Sequence, residues 1–158
     1  IMSGNPEARH AARIASVQVL YQVERAGGGA EETLEEFAEH RFGEFAVAPD
    51  HDFFAAILRG VPQHQVEIDR SIAGSLASGW TLARIDSILR AILRCGLFEL
   101  VARRDVPARA VIDEYVAVAR AFFGAEEPGF VNGVLDRLAK RKRAAEFGLP
   151  TPEGELDF

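Results

Sequence analysis

The residue types that bind metals are scattered through this sequence. A structural or catalytic zinc site needs three or four His, Cys or carboxylate ligands, usually at short and regular spacings. The sequence holds four histidines and one cysteine: His10, His40, His51, His64 and Cys95. Because no two of them stand at a ligand spacing, we expect no metal site and no cofactor. The single thiol excludes an internal disulfide, which fits a small core residue in a reducing compartment.

Residues that could act as nucleophiles or as acid–base pairs are also isolated. Ser16 lies outside any G-x-S-x-G pattern and has no base at a recognisable spacing. Asp113 and Glu114 are adjacent, so on a helix their side chains point about 100° apart and do not form a catalytic carboxylate pair. We therefore expect a protein that is not an enzyme.

Glu99 is a charged residue in an apolar stretch, between Phe98 and Leu100. An unpaired carboxylate in such surroundings would be costly. We expect it to bond to an arginine or to a helix N-terminus, and direct contact with a partner molecule is the alternative.

Three cations stand at the start of the first predicted helix: Arg9, His10 and Arg13. The N-terminus of a helix already carries a partial positive charge, so cations there cost a little stability unless an anion binds nearby. The pattern fits an anion-binding end, and an ordinary solvated first turn is the alternative.

Phe130 and Asn132 open a basic segment near the end of the sequence. A phenylalanine in the first turn of a helix usually packs into the core, but after Gly129 it could also stand exposed and stack on a base. Asn132 could cap its own helix or form hydrogen bonds with a base edge. Periodicity alone does not decide between these alternatives.

Charge is distributed unevenly along the chain. The net charge is −6, which by itself argues against nucleic acid as a partner. Residues 31–54 hold eight acids and one base, whereas residues 129–143 hold five bases and one acid. One basic face on an acidic protein is therefore expected.

A long helix over residues 82–101 is expected to position all these groups. Its apolar residues recur every three or four positions, which is typical of a helix, and Thr81 is expected to be its N-cap. The stripe is wide enough to be covered by more than one neighbour, so this helix is expected to hold two halves together.

The other segments are also helical in pattern, and none alternates like a strand. Predicted helices cover 7–25, the region around Leu34–Phe42, a segment capped by Asp50 and broken at Gly60–Pro62, the region 66–76, 108–122 and 130–143. Asp105 is a plausible cap, Gly124 a left-handed helix end, and the last helix is expected to turn its basic residues to water. We expect an all-α fold of about seven helices.

The predicted domain covers residues 7–143, with an N-terminal half at 7–79 and a C-terminal half at 80–143. The acidic, Pro- and Gly-containing segment 144–158 has no period and is expected to be disordered. No apolar run is long enough to span a membrane and the first residues do not resemble a secretory signal, so we expect a cytoplasmic protein.

Four motifs together resemble the NusB family of bacterial transcription antitermination factors. They are A-R-x-x-x-V-Q-x-L-Y at 12–21, I-L-R-x-x-x-F-E-L at 92–100, D-V-P-x-x-x-V-I-D-E at 105–114 and F-V-N-G-V-L-D at 130–136. Their order and spacing also match, and the resemblance covers about residues 8–139. The last motif, after an R-A-F-F-G-A-E turn, is the most specific.

The resemblance implies two small helical bundles and a non-enzymatic role. Members of this family bind the boxA element of nascent ribosomal RNA together with NusE, a ribosomal protein, and help RNA polymerase to read through terminators. By motif position, RNA contacts are expected from Arg9, His10, Arg13, Phe130 and Asn132. Tyr21, whose spacing also suits an inward position, is expected on the partner-facing side.

Two alternatives stay open at this point. A related helical domain forms the amino-terminal part of some ribosomal RNA cytosine methyltransferases, so the chain could be an RNA-docking module. No glycine-rich methyl-donor site follows the basic helix in this sequence. A homodimer scaffold that does not bind RNA is the third alternative.

Overall fold

A computed structural model describes residues 5–153 and 157–158, and over that part of the chain the fold is all-α with no strand. The seven α-helices are α1 (Pro6–Ala26), α2 (Ala30–Arg41), α3 (His51–Gln63), α4 (Gln65–Ala73), α5 (Ser87–Ala102), α6 (Ala108–Phe122) and α7 (Glu126–Lys142). Short 3-10 turns cover Phe42–Glu44, Leu82–Arg84 and Ala144–Phe147. The predicted all-α class is confirmed.

Helix α5 is the centre of the fold, as its apolar stripe predicted. It packs against α1, α3, α4, α6 and α7. Its residues Ile92, Leu93, Leu97 and Leu100 are fully buried. The helices α1, α2 and α3 pack together on one side and α6 and α7 on another, so two small bundles share this helix.

The start of α5 differs from the prediction, and Thr81 is not its N-cap. Asp86 is the N-cap, because its Oδ1 accepts hydrogen bonds from the amides of Ile88 and Leu89. The preceding residues form the 3-10 turn, after which Ile85 is extended. Aspartate is a strong N-cap, so the helix begins at the later residue.

The predicted break at Gly60–Pro62 comes slightly later, because α3 continues through Pro62 to Gln63 and α4 begins at Gln65. A proline so near the end of a helix costs one hydrogen bond in the last turn. Gly60 has a packing role instead, because a Cβ atom at this position would overlap the ring of Phe98. The capping of α3 by Asp50, whose Oδ1 accepts from the amide of Phe53, is confirmed.

Asp105 does not cap α6, which starts where it was predicted. Its carboxylate accepts hydrogen bonds from Arg103 and, at 3.5 Å, from Arg9. The free amide of Ala108 donates to Oε1 of Glu146 at 2.9 Å. The cap is therefore supplied by a residue far along the chain, which no local pattern could indicate.

The turn between α6 and α7 also differs from the prediction. Phe123, in extended conformation, ends α6, and Gly124 has no positive φ angle. Helix α7 begins at Glu126, earlier than the predicted Phe130. Phe130 and Asn132 therefore lie inside a helix, and Asn132 does not cap its start.

Part of the segment predicted to be disordered packs against the helices. Residues 144–147 form a 3-10 turn in which Ala144 is buried. The ring of Phe158 stacks on His64 and Phe98, with centroid distances of 4.6 and 5.9 Å. Aromatic side chains provide contacts here despite the polar composition. Residues 154–156, for which disorder was also expected, lie outside the described residues.

Among the described helices, none has the length and apolarity to cross a membrane.

Candidate nucleic-acid interface

A buried ion pair joins the first helix to the central helix. The Nε and Nη2 atoms of Arg13 donate to the two carboxylate oxygens of Glu99, at 2.6 and 3.0 Å. The hydroxyl of Tyr115, from α6, donates to Glu99 Oε1 at 2.6 Å. Arg13 is 3% exposed and the other two are fully buried. The expectation that Glu99 pairs with an arginine is confirmed.

The ionisation of this cluster follows from its burial. Burial favours the neutral form of Arg13, but the hydrogen bonds and negative charge of Glu99 outweigh it and raise the pKa of the guanidinium. Burial, with the charge of Glu99 next, raises the pKa of Tyr115 well above its ordinary value. The guanidinium therefore stays charged, and the phenol stays protonated, at neutral pH.

Arg9 is the second buried arginine of α1, with 5% of its surface exposed. Its guanidinium lies over the ring of Phe53, 4.6 Å from the centroid, and Arg13 and Arg103 stand at 4.9 Å from the same centroid. Its Nη1 reaches Asp105 at 3.5 Å, and its buried Nε has no hydrogen-bond partner among the described residues. One donor of Arg9 is thus unsatisfied inside the fold.

His10 presents more surface than either arginine. Its side chain is 35% exposed, and its Nδ1 lies 3.3 Å from Oε1 of Glu114. The same carboxylate oxygen accepts a hydrogen bond from Arg13. The three predicted cations therefore lie together, but Arg9 and Arg13 are held by internal contacts, and contact with RNA stays a prediction for all three.

Three adjacent clefts cross this part of the surface. The first, of about 520 Å³, lies between the start of α1 and the loop at 45–47; the second, of about 280 Å³, is lined by Arg9 and Arg13. Both are bordered by Pro6 and Glu114. The third, of about 830 Å³, adjoins the second at Asp113. They form one path from α1 across α6 to α7.

The third cleft brings in Asn132 and a cation that the sequence analysis missed. Asn132 is exposed and lines this cleft together with the exposed Arg120. Phe130 is half-buried and packs against the core. It therefore combines the two alternatives left open for it, a core contact and a partly accessible ring. In the sequence, the only signal for Arg120 was its place in the R-A-F-F-G-A-E segment that precedes the F-V-N-G-V-L-D motif.

Tyr21 lies on a separate groove near the other end of α1. The groove, of about 480 Å³, is bordered by Tyr21, Gln18, Ile88 and Phe122. Tyr21 is half-buried, and the guanidinium of Arg25 stands 5.4 Å from its ring centroid. The inward position is thus partial, and an edge of the ring is left for contact.

The basic end of α7 does not form the free cationic face that was predicted. Lys142 and Arg143 are 3% and 4% exposed. Arg143 donates to the carbonyl oxygens of Leu100, Arg103 and Val106. Arg137 donates to the carbonyl of Ser75 at 2.8 Å, although part of it is exposed. The prediction that these residues face water holds for Arg137 and Lys140, which are exposed, and is wrong for Lys142 and Arg143, which are buried.

The chemistry of a metal centre is missing from this surface, since no group of three His, Cys, Asp or Glu in the described part could hold a metal ion. The groups that line the clefts are instead an imidazole, an amide, guanidinium groups and apolar walls, together with the carboxylates of Glu7, Asp113 and Glu114. Such groups recognise phosphates and bases.

Known proteins resemble this chain over nearly its whole length. The family model described as the NusB family matches residues 10–140. The transcription antitermination protein NusB of Caulobacter vibrioides is 49% identical over 148 residues, which cover 90% of this chain and 99% of that protein. The protein of the same name from Maricaulis maris is 49% identical over 144 residues, covering 88% and 90%.

Solved structures give the same result. T. maritima NusB has a TM-score of 0.76 at 29% identity, covering 94% of this chain and all of that one. NusB in a crystal structure of the antitermination factors NusB and NusE with double-stranded RNA has a TM-score of 0.74 at 25% identity, covering 86% and 98%.

Proposed function

The chain belongs to the NusB family, and we propose that it acts as a transcription antitermination protein that binds RNA together with NusE. The relatives carry the name of a transcription factor and not of an enzyme. One structural relative was crystallised with both NusE and RNA. The observation that carries the proposal for this chain is the row of three neighbouring clefts past Arg9, His10 and Arg13 to Asn132.

We assign the RNA contacts along this path. His10, Asn132 and the partly accessible ring of Phe130 touch RNA directly, and Arg120 neutralises a phosphate beside Asn132. Arg9 lines the second cleft, where its positive charge favours a phosphate. Arg13 contributes by holding α1 against α5 and α6, because its donors are already bonded to Glu99 and Glu114.

The groove beside Tyr21 is our candidate contact for NusE. It combines an apolar floor with a phenol and two guanidinium groups, those of Arg25 and Arg41, at its border. Surfaces of this composition are typical of protein interfaces. Assembly with RNA polymerase and action in the cytoplasm, where bacterial transcription takes place, complete the proposal; homodimer formation is an alternative use of the same groove.

A binding experiment with four components tests the proposal. A short RNA with a boxA-type element, single-stranded or annealed to its complement, is titrated with the protein in the presence and absence of NusE. We expect modest affinity for the single strand alone, because few cations face the path, and clearly tighter binding when NusE is added. Equal affinity for a scrambled RNA of the same length, with and without NusE, would contradict the proposal.

Variants at the two proposed surfaces separate the contacts. Phe130→Ala should weaken RNA binding by about 1–3 kcal/mol if the ring stacks on a base. Tyr21→Ala should leave RNA binding by the free protein unchanged and remove the gain from NusE. Trp80→Ala is the matched control, because Trp80 is an exposed aromatic residue that borders neither surface. A loss of RNA binding in the control would mean that removing any exposed aromatic side chain weakens binding, so the effect of Phe130→Ala would not identify an RNA contact.

A further inference from the structure

We propose that the first cleft holds one unpaired base of the bound RNA, and that this base carries an exocyclic amino group. The inference rests on the proposed function and adds to it a base-selective subsite away from Phe130 and Asn132. The cleft, of about 520 Å³, lies within the range of about 300–1,000 Å³ that is usual for small-molecule sites.

The walls of the first cleft suit the faces of a base. They are formed by apolar groups from α1 and from the loop before α3, namely Pro6, Ile14, Phe45 and Val47. The last three are half-buried, so they are fixed by the fold and still accessible. Bases of single-stranded RNA are commonly held between aromatic and apolar side chains in this way.

The polar groups of the cleft select which base enters. Glu7 and Glu114 both line it, together with His10. The described hydrogen bonds of Glu114 all use Oε1, so its Oε2 is left to accept another. A carboxylate oxygen only accepts hydrogen bonds, so it favours adenine, cytosine and guanine, whose amino groups donate. The Watson–Crick edge of uracil offers one donor, the ring N3–H, between two carbonyl oxygens that a carboxylate repels.

Charge decides how the nucleotide is oriented. Glu7 and Glu114 border the first cleft without a lining arginine and repel a phosphate there, whereas the second cleft is lined by Arg9 and Arg13 as well as by Asp113 and Glu114. The two clefts share Pro6 and Glu114 as a border. A base can therefore enter the first cleft while its own phosphate lies towards the guanidinium groups of the second. A lysine side chain of a protein partner would pair with the carboxylates, but it carries no phosphate for the guanidinium groups of the second cleft.

Filling the cleft with a bulky side chain tests the proposal. Ala46 is exposed and lines the first cleft, so Ala46→Trp should occupy it without disturbing the core. Ala48 is exposed in the same loop and does not line the cleft, so Ala48→Trp is the matched control. Circular dichroism and thermal unfolding should show both variants folded like the wild type.

The readout is a scan of a boxA-type single-stranded RNA in which each base in turn is removed to leave an abasic sugar. In the wild type, we expect one amino-bearing position inside the element whose loss weakens binding by about tenfold, the scale of one base-stacking contact. Ala46→Trp should weaken binding of the intact RNA by a similar factor and should be insensitive to that position. Ala48→Trp should behave as the wild type in both respects.

Each other outcome is decisive. If Ala46→Trp binds the intact RNA as tightly as the wild type, or keeps the full abasic pattern, the cleft holds no base. If the variant loses only its response to NusE, the occupant is a protein side chain and the proposal is wrong. If the wild type itself does not distinguish boxA-type RNA from a scrambled strand, the proposed function fails, whereas a failed cleft with intact boxA binding leaves that function standing.

Discussion

Arg13 and Glu99 are joined by two parallel N–H···O hydrogen bonds although neither side chain is more than 4% exposed. The pair spans 86 residues of sequence and fixes α1 on α5. Because Tyr115 adds a third donor, the carboxylate is satisfied before any ligand arrives. Arg13, one of the three cations expected to contact RNA, thus stabilises the fold in the absence of a ligand.

Replacing Glu99 tests this structural role. Glu99→Gln removes the buried counter-ion of Arg13 and leaves it only Glu114, so we expect the free energy of unfolding to fall by about 1.5–3 kcal/mol, the scale of a charge-assisted hydrogen bond. Denaturant titration measures the loss. Glu31→Gln is the matched control, since it breaks an exposed pair with Arg59 and should not shift the midpoint. Normal stability of Glu99→Gln with weakened RNA binding would instead assign Glu99 to the interface.

Alkaline pH should destabilise the fold in two steps. Burial raises the pKa of the Cys95 thiol above its ordinary value of 9.0, and burial with the charge of Glu99 raises that of Tyr115 above 10.0. In those ranges the unfolded chain releases protons that the folded chain keeps, so the free energy of unfolding falls as pH rises, by at most about 1.4 kcal/mol per pH unit for each group.

Denaturant titrations from pH 8 to 11 measure this fall. Cys95→Ala should delay its onset from about pH 9 to about pH 10, and Tyr115→Phe should make the fall above pH 10 less steep, because Cys95 still contributes there. A stability that stays constant across this range in the wild type would show that both groups release their protons in the folded state.

Two glycines inside helices should respond to alanine with opposite signs. Gly60→Ala puts a methyl group where the ring of Phe98 already lies, so we expect a loss of about 1–3 kcal/mol. Gly133→Ala meets only the end of Arg137 at 3.6 Å and should gain about 0.5–1 kcal/mol from helix propensity. Thermal unfolding of the two variants compares them directly. A stable Gly60→Ala would mean that the ring can move aside at little cost.

Salt titration should separate a phosphate contact from a base contact in the third cleft. Arg120→Ala removes one cation, so the slope of the logarithm of affinity against the logarithm of salt should become shallower by about 0.7 for a single strand. Asn132→Ala should lower affinity without changing the slope. Arg70→Ala, which changes an exposed arginine on α4, is the control and should alter neither. Identical slopes for Arg120→Ala and the wild type would remove Arg120 from the interface.

The sequence predicted the existence of the helices better than their ends. Periodicity every three or four residues reports a buried face, and α5 and α6 carry that pattern over most of their length. Ends depend on capping, and two polar residues near one end compete: Asp86 caps α5 although Thr81 was the earlier candidate. The cap of Ala108 comes from Glu146, 38 residues away, so local sequence could not indicate it.

The candidate site was predictable by region and not by role. The motifs placed Arg9, His10 and Asn132 on one surface, and the clefts join these residues. That Arg9 and Arg13 are buried depends on Phe53 and Glu99, which belong to other helices. The prediction that Arg143 faces water failed for the same reason, since its acceptors are backbone carbonyls, which carry no sequence signal.

The bonds of Arg143 also set an order in which the protein can be completed on the ribosome. Its guanidinium satisfies carbonyls of the last turn of α5 and of the α5–α6 connection that lie 37 to 43 residues earlier in the chain. Synthesis delivers the N-terminal helices first, so α1, α2 and α3 can associate while this connection is still open. These carbonyls receive their hydrogen bonds only after residue 143 has emerged from the ribosome, so this part of the fold is completed late in synthesis.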